Sequence, residues 1–148
     1  METIKLIKYN DKDYKCVYEI KKEAYKNYVE EHWGSWNENI QQEYFKKFIN
    51  TYKNSIYIIK LNNKNIGFYS DYEDKDYYEI GNICIIPEYQ GKGIGTDILM
   101  KKIEEHNDKD IKIQYFKKNP VGKLYKRFGF VENGETKFHY QMIKKKQY

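Results

Sequence analysis

At 148 residues, 40% hydrophobic and 33% charged, the chain suits one folded domain with a real core, not a disordered segment. Its net charge of +5 is uneven, because residues 1–100 hold 14 Lys/Arg against 16 Asp/Glu and the basic surplus falls in residues 101–148. Two cysteines, Cys16 and Cys84, and three scattered histidines, His32, His106 and His139, argue against a disulfide framework and give no metal-ligand spacing, so no metal is expected.

Thr3 to Tyr9 sets Ile4 and Leu6 against Lys5 and Lys8, the alternation of a first strand. Asp11 and Asp13 read as a helix start, and Val17, Ile20, Ala24, Tyr28 and Val29 recur at helical spacing up to about Glu31. The period breaks at Trp33-Gly34-Ser35-Trp36. A second helix is predicted over Asn37–Asn50, with Ile40, Tyr44, Phe45, Phe48 and Ile49 inward. Ser55–Leu61 and Ile66–Tyr72 read as a hairpin around the turn Asn62–Asn65, and Asp71–Asp76 as an acidic connector. Beyond the central stretch, a helix spans about Gly93 to His106 with Ile94, Ile98, Leu99 and Ile103 on its apolar face, and a strand spans Lys109–Lys117. Pro120 suits the first residue of a short helix that stops at Gly129, and Glu135–Lys144 is a closing strand. The N-terminus lacks an apolar signal region and no run reaches membrane-spanning length, so a cytoplasmic protein without a membrane partner is expected.

The stretch Glu79 to Met100 carries the strongest chemistry. Ile80, Ile83, Ile85 and Ile86 form a buried-strand run that Pro87 ends by removing a donor. Gln90 to Gly95 then spells Q-G-K-G-I-G before the amphipathic helix. Glycines there allow positive φ and close approach of backbone to a ligand, and the helix start presents free N–H groups and partial positive charge. Together they suit a phosphate or pyrophosphate, although a glycine turn with no ligand has the same local pattern. Neither the P-loop nor the Rossmann fingerprint is matched, since no Lys-Ser/Thr follows the last glycine and the glycine spacing differs.

Gln90-Gly91-Lys92-Gly93-Ile94-Gly95 resembles the [QR]-x-x-G-x-[GA] signature of the GNAT superfamily of acyl-CoA N-acyltransferases. A second stretch, Asn119 to Phe130, resembles that family's Asn-led short helix ending L-Y-x-x-x-G-F, on Leu124, Tyr125, Gly129 and Phe130. It departs from many relatives in placing Asn119 six positions before Tyr125, where seven is common. The element order β-α-α-β-β-β-α-β-α-β is also the GNAT order, implying an α/β domain with a mixed central β-sheet flanked by helices.

The resemblance implies an acetyl-CoA-dependent N-acetyltransferase acting on a primary amine by direct transfer. The fourth and fifth strands would splay, the pantetheine arm would pair with main chain near Ile83, Cys84 and Ile85, and Gln90, Gly91, Lys92, Gly93, Ile94, Gly95 and Thr96 would hold the pyrophosphate. Lys123 could meet a phosphate, and Asn119 the pantetheine or a water, against a plain helix cap. Tyr125 is the candidate general acid, against a packed aromatic, and Glu79 the candidate base, against an exposed strand-end carboxylate. His32, Trp33 and Trp36 would wall the acceptor side, or plug the core. The rival readings are a non-catalytic acyl-CoA-binding or partner-binding module of the same fold, and a protein N-terminal acetyltransferase. The basic third shows no aromatic–basic interleaving on a known module, so no nucleic-acid partner is expected. A homodimer is a further implication of the family.

Overall fold

The computed structural model describes residues 3–147. Its strands are β1 (Ile4–Lys8), β2 (Ile56–Leu61), β3 (Lys64–Glu73), β4 (Tyr77–Ile85), β5 (Asp110–Phe116), β6 (Val131–Glu135) and β7 (His139–Lys144), and its helices α1 (Tyr14–Trp33), α2 (Glu38–Tyr52), α3 (Ile94–Glu105) and α4 (Gly122–Arg127). The strands follow the order β1-β2-β3-β4-β5-β7-β6 in a mixed sheet, with β4 and β5 parallel and the β1–β2, β2–β3, β5–β7 and β6–β7 pairs antiparallel. The α/β class and mixed sheet are those expected. The chain divides into two compact units, one made by the chain up to Ser70 with Asn82–Gly95, the other by Asp71–Gly81 with the chain from Thr96 onward.

In the first unit, Asn10 and Asp13 form a capping box, Asn10 Oδ1 accepting from Lys12 N–H at 3.1 Å and Asp13 Oδ2 from Asn10 N–H at 3.0 Å. This starts the turn that leads into α1. The α1 residues Val17, Tyr18 and Ile20 then bury against Phe45, Ile49, Ile56, Ile58, Phe68 and Cys84. Asn37 caps α2 by accepting from Ile40 N–H at 3.0 Å. Ile40 and Tyr44, expected inward, are exposed, because α2 buries only the narrower face that carries Phe45 and Ile49. One carboxylate ties the two helices together: Glu38 accepts from Tyr18 Oη at 2.9 Å, Trp36 Nε1 at 2.9 Å and Lys22 Nζ at 3.0 Å. The β2–β3 turn is shorter than expected. Asn62 and Asn63 take φ of 50° and 71°, the left-handed pair of a two-residue hairpin, and Lys64 already pairs with Leu61.

In the second unit the first half of the acidic connector turns out to be strand. β3 continues to Glu73, and Asp74 Oδ1 makes the turn by accepting from Asp76 N–H at 2.8 Å and Tyr77 N–H at 3.2 Å. β4 therefore opens at Tyr77, and Glu79 is its third residue, not its first. Asp71 accepts from Tyr78 Oη at 2.8 Å, and Tyr78 stacks on His106 with centroids 3.5 Å apart. Lys109 Nζ reaches Glu73 Oε2 at 2.9 Å, so these acidic groups hold the unit's own turn.

The closing segment is a hairpin and not one strand, with β6 antiparallel to β7. Every residue of β6 is exposed, so it lacks the apolar alternation that marks a half-buried strand. α4 begins at Gly122, two residues later than the proline rule suggests, because Asn119 Oδ1 accepts from Val121 N–H at 3.1 Å and holds Pro120 in a preceding turn. Gly129, at φ 95°, closes α4 as expected, with Phe130 N–H bonding Tyr125 O and Gly129 N–H bonding Lys126 O.

Candidate functional site

The glycine stretch is built from β4 outward. After Ile85 the chain leaves the sheet, and Pro87–Tyr89 forms a single 3-10 turn with proline at its first position. Gln90 Nε2 then donates to Ile85 O at 2.7 Å, pinning the loop to the end of the strand that precedes it. Gly91 and Gly93 take φ of 74° and 83°, and a Cβ at either would meet no heavy atom within 4 Å. Their requirement is therefore conformational, and the space beside them is open. α3 begins at Ile94, and its first-turn N–H groups have no intrahelical acceptor.

Two lysines border this loop. Lys92 Nζ lies 5.3 Å and Lys64 Nζ 5.1 Å from the centroid of the Tyr89 ring. Lys64 carries no local signal along the chain, because it sits in β3 and only folding brings it beside Tyr89 and Glu88.

Cys84 is buried on β4, with burial pushing its thiol well above the usual range and Lys21 opposing that shift only in part. A thiol held protonated is a poor nucleophile, which argues against an acyl-cysteine step. The Cys84 carbonyl faces Gly67, where a Cβ would lie 2.2 Å from the oxygen, so β3 needs glycine there. Ile83 and Ile85 flank Cys84, and Gly95 sits over both, its ideal Cβ position 3.7 Å and 3.5 Å from their side chains.

Trp33 ends α1 with an exposed ring, whereas Trp36 is half-buried, packs on the core that contains Cys84 and donates to Glu38. His32 belongs to α1, and its side chain lies outside the described residues.

In the second unit Tyr125 sits on α4, 9% exposed, edge-on to Tyr115 at 5.6 Å and 6.0 Å from Phe130. Burial first, then the neighbouring Tyr115, push its phenol up to about 12. A Cβ on Gly122 would lie 2.3 Å from Tyr115 Oη, so this glycine lets α4 settle against β5. Asn119 is committed to Val121 N–H, Lys123 is exposed on α4, and Thr96 lies in the first turns of α3.

Glu79 is exposed and in register with Lys112. Strand alternation puts Glu79 and Lys112 on one face of this part of the sheet and Tyr115, against which Tyr125 packs, on the other. The structure therefore does not put Glu79 beside Tyr125. Glu79 instead borders a cavity of about 210 Å³ formed with residues of β5, β6 and β7. The parallel β4–β5 ladder covers Tyr77–Ile80 and Asp110–Ile113, while β4 runs on to Ile85. Among the described residues no helix is long and apolar enough to cross a membrane.

A family model described as an acetyltransferase (GNAT) domain matches residues 53–132, which include the glycine loop and Tyr125. An uncharacterized N-acetyltransferase of Methanocaldococcus jannaschii is 27% identical over 129 residues, covering 80% of this chain and 54% of that protein. The chain spans about half the length of the curated relatives it matches. Among solved structures, a protein of Pyrococcus horikoshii superposes with a TM-score of 0.75 at 24% identity, covering 100% of both chains. The PaiA N-acetyltransferase of Thermoplasma acidophilum, in complex with coenzyme A, superposes with a TM-score of 0.72 at 18% identity, covering 97% of this chain and 99% of that one. At these identities the two superpositions speak for the fold.

Proposed function

Because the chain belongs to the GNAT acetyltransferase family, we propose that it moves an acetyl group from acetyl-CoA to a primary amine by direct transfer in a ternary complex. The observation that carries this reading is the loop Gln90–Gly95, with two left-handed glycines beside open space, pinned at its start and running into a helix N-terminus. Acetyl-CoA supplies the acetyl group as a thioester, whose C–S bond breaks as the C–N bond to the amine forms.

Each of the chain's own groups then has a definite task. Main-chain N–H groups of Gly91 to Thr96 hold the pyrophosphate, with Lys92 and Lys123 adding positive charge. Ile83, Cys84 and Ile85 offer main-chain partners to the pantetheine arm, and a N–H of that strand polarises the thioester oxygen. Glu79, on the sheet face opposite the ring Tyr125 packs against, takes through intervening water the proton that the ammonium must lose. Tyr125, its phenol pushed up to about 12, stays protonated at neutral pH and gives its proton to the departing sulfur. The buried, protonated thiol of Cys84 supports transfer without a covalent relay.

Calorimetry with acetyl-CoA, followed by a thiol-release screen across amines, tests the reading. Micromolar binding and release with at least one amine are expected, and no binding at high micromolar acetyl-CoA would remove the proposal. Gly93→Val gives a sharper check. A β-branched side chain at φ 83° distorts the loop, so acetyl-CoA should bind at least about tenfold more weakly, a loss of ~1.4 kcal/mol. Unchanged affinity would detach the loop from the cofactor.

A further inference from the structure

We infer that the cavity beside Glu79 is the acceptor's seat and takes a small zwitterionic amine, one that carries a carboxylate a few bonds from its amino group, as a free amino acid or dipeptide does. This rests on the acetyl-transfer reading and specifies its second substrate. The cavity, about 210 Å³, is lined by Glu79 on β4, Lys112 and Gln114 on β5, Asn133 on β6 and Gln141 on β7. That is smaller than the ~300 Å³ at which pockets begin to suit drug-sized molecules.

The lining is built, not incidental. Gln114 stands opposite Gln141 in the β5–β7 ladder, and Glu79 opposite Lys112 in the β4–β5 ladder, so four polar side chains share one sheet face. The β6–β7 register shifts between Glu132, paired with Met142, and Gly134, paired with Gln141. Asn133 is the extra residue of that bulge, a device that re-aims a side chain beside a site. Gly134 carries the next accommodation, because a Cβ there would lie 2.7 Å from Gln141 Oε1. A glycine at this position leaves the Gln141 carboxamide room above β6. Lys112 Nζ lies 3.9 Å from the centroid of the Tyr77 ring, which holds its charge in place.

The charges decide the ligand class. One carboxylate, one ammonium and three carboxamides sum to zero, and carboxamides both donate and accept. An amine beside Glu79 with a carboxylate beside Lys112 satisfies both ends. A polyamine would set a second cation against Lys112, and an apolar amine would leave the carboxamides unpaired.

The test is amide NMR titration of the labelled protein with L-alanyl-L-alanine, its C-terminal amide and putrescine, alongside thiol release with acetyl-CoA. L-Alanyl-L-alanine should shift the side-chain amide signals of Gln114, Asn133 and Gln141 and bind at least fivefold more tightly than its amide, and putrescine should leave them in place. Lys112→Met should erase the preference for the free carboxylate, with Lys112→Gln as a second variant. No shifts with L-alanyl-L-alanine, equal binding of the amide, or a preference that survives both substitutions would overturn the assignment. The two readings fail separately. Shifts with no thiol release from any amine of the wider screen keep a zwitterion site and sink acetyl transfer, whereas thiol release without shifts keeps transfer and sinks the site.

Discussion

Tyr125→Phe is expected to lower turnover by about 100-fold at saturating acetyl-CoA while changing acetyl-CoA affinity less than about twofold, the signature of a lost proton donor. The ring stays, so its packing on Tyr115 and Phe130 stays with it, and only the hydroxyl is removed. Steady-state rates with a responsive amine, paired with calorimetry, read the two effects separately. Equal turnover in the two proteins would reduce Tyr125 to a packed aromatic.

The same residue predicts a pH dependence of stability. Its phenol is pushed up to about 12 in the folded protein, above the ~10 of an unfolded tyrosine. The folded state therefore holds the proton more tightly. This contribution is complete below pH ~10 and is lost as pH rises from 10 toward 12, by up to about 3 kcal/mol. Tyr125→Phe should flatten that decline in chemical denaturation at pH 9 to 11.5, and an equally steep decline in the variant would assign it elsewhere.

Gly67→Ala is expected to cost about 3 kcal/mol, lowering the melting temperature by roughly 10 °C. The added methyl would sit 2.2 Å from the Cys84 carbonyl oxygen and 3.2 Å from Ile59 Cδ1, in a core where neither strand can yield cheaply. The displaced carbonyl belongs to the stretch proposed to pair with pantetheine, so acetyl-CoA binding should weaken as well. Circular dichroism melts read the first effect and calorimetry below the transition the second. Gly91→Ala is the control, since a Cβ there meets nothing within 4 Å and only the positive φ opposes it, at about 1–2 kcal/mol. A melting temperature for Gly67→Ala no lower than that of Gly91→Ala would discard the steric argument.

Local signals carried much of this protein. The glycine loop was legible because Gln90 to Gly95 needs only its own backbone freedom and the helix behind it, and Gly91 and Gly93 do adopt positive φ. The apolar faces of α1 and α3 and the Gly129 stop were legible for the same reason, since each depends on residues within a few positions. The family could be recognised from two motifs, at Gln90–Gly95 and Asn119–Phe130, both wholly inside the matched segment.

Tertiary structure decided the rest. β6 became a strand through hydrogen bonds to β7, with no buried face of its own, and no hydropathy pattern could announce it. Its bulge at Asn133 and the side chains of Lys112, Gln114 and Gln141 meet Glu79 only through strand pairing. Ile40 and Tyr44 stayed outside because α2 had a narrower partner surface than its own apolar stripe. Whether Gly67 was needed was likewise invisible along the chain, because the atom that forbids a side chain there, the Cys84 carbonyl oxygen, lies 17 residues away in sequence and arrives only when the strands come together.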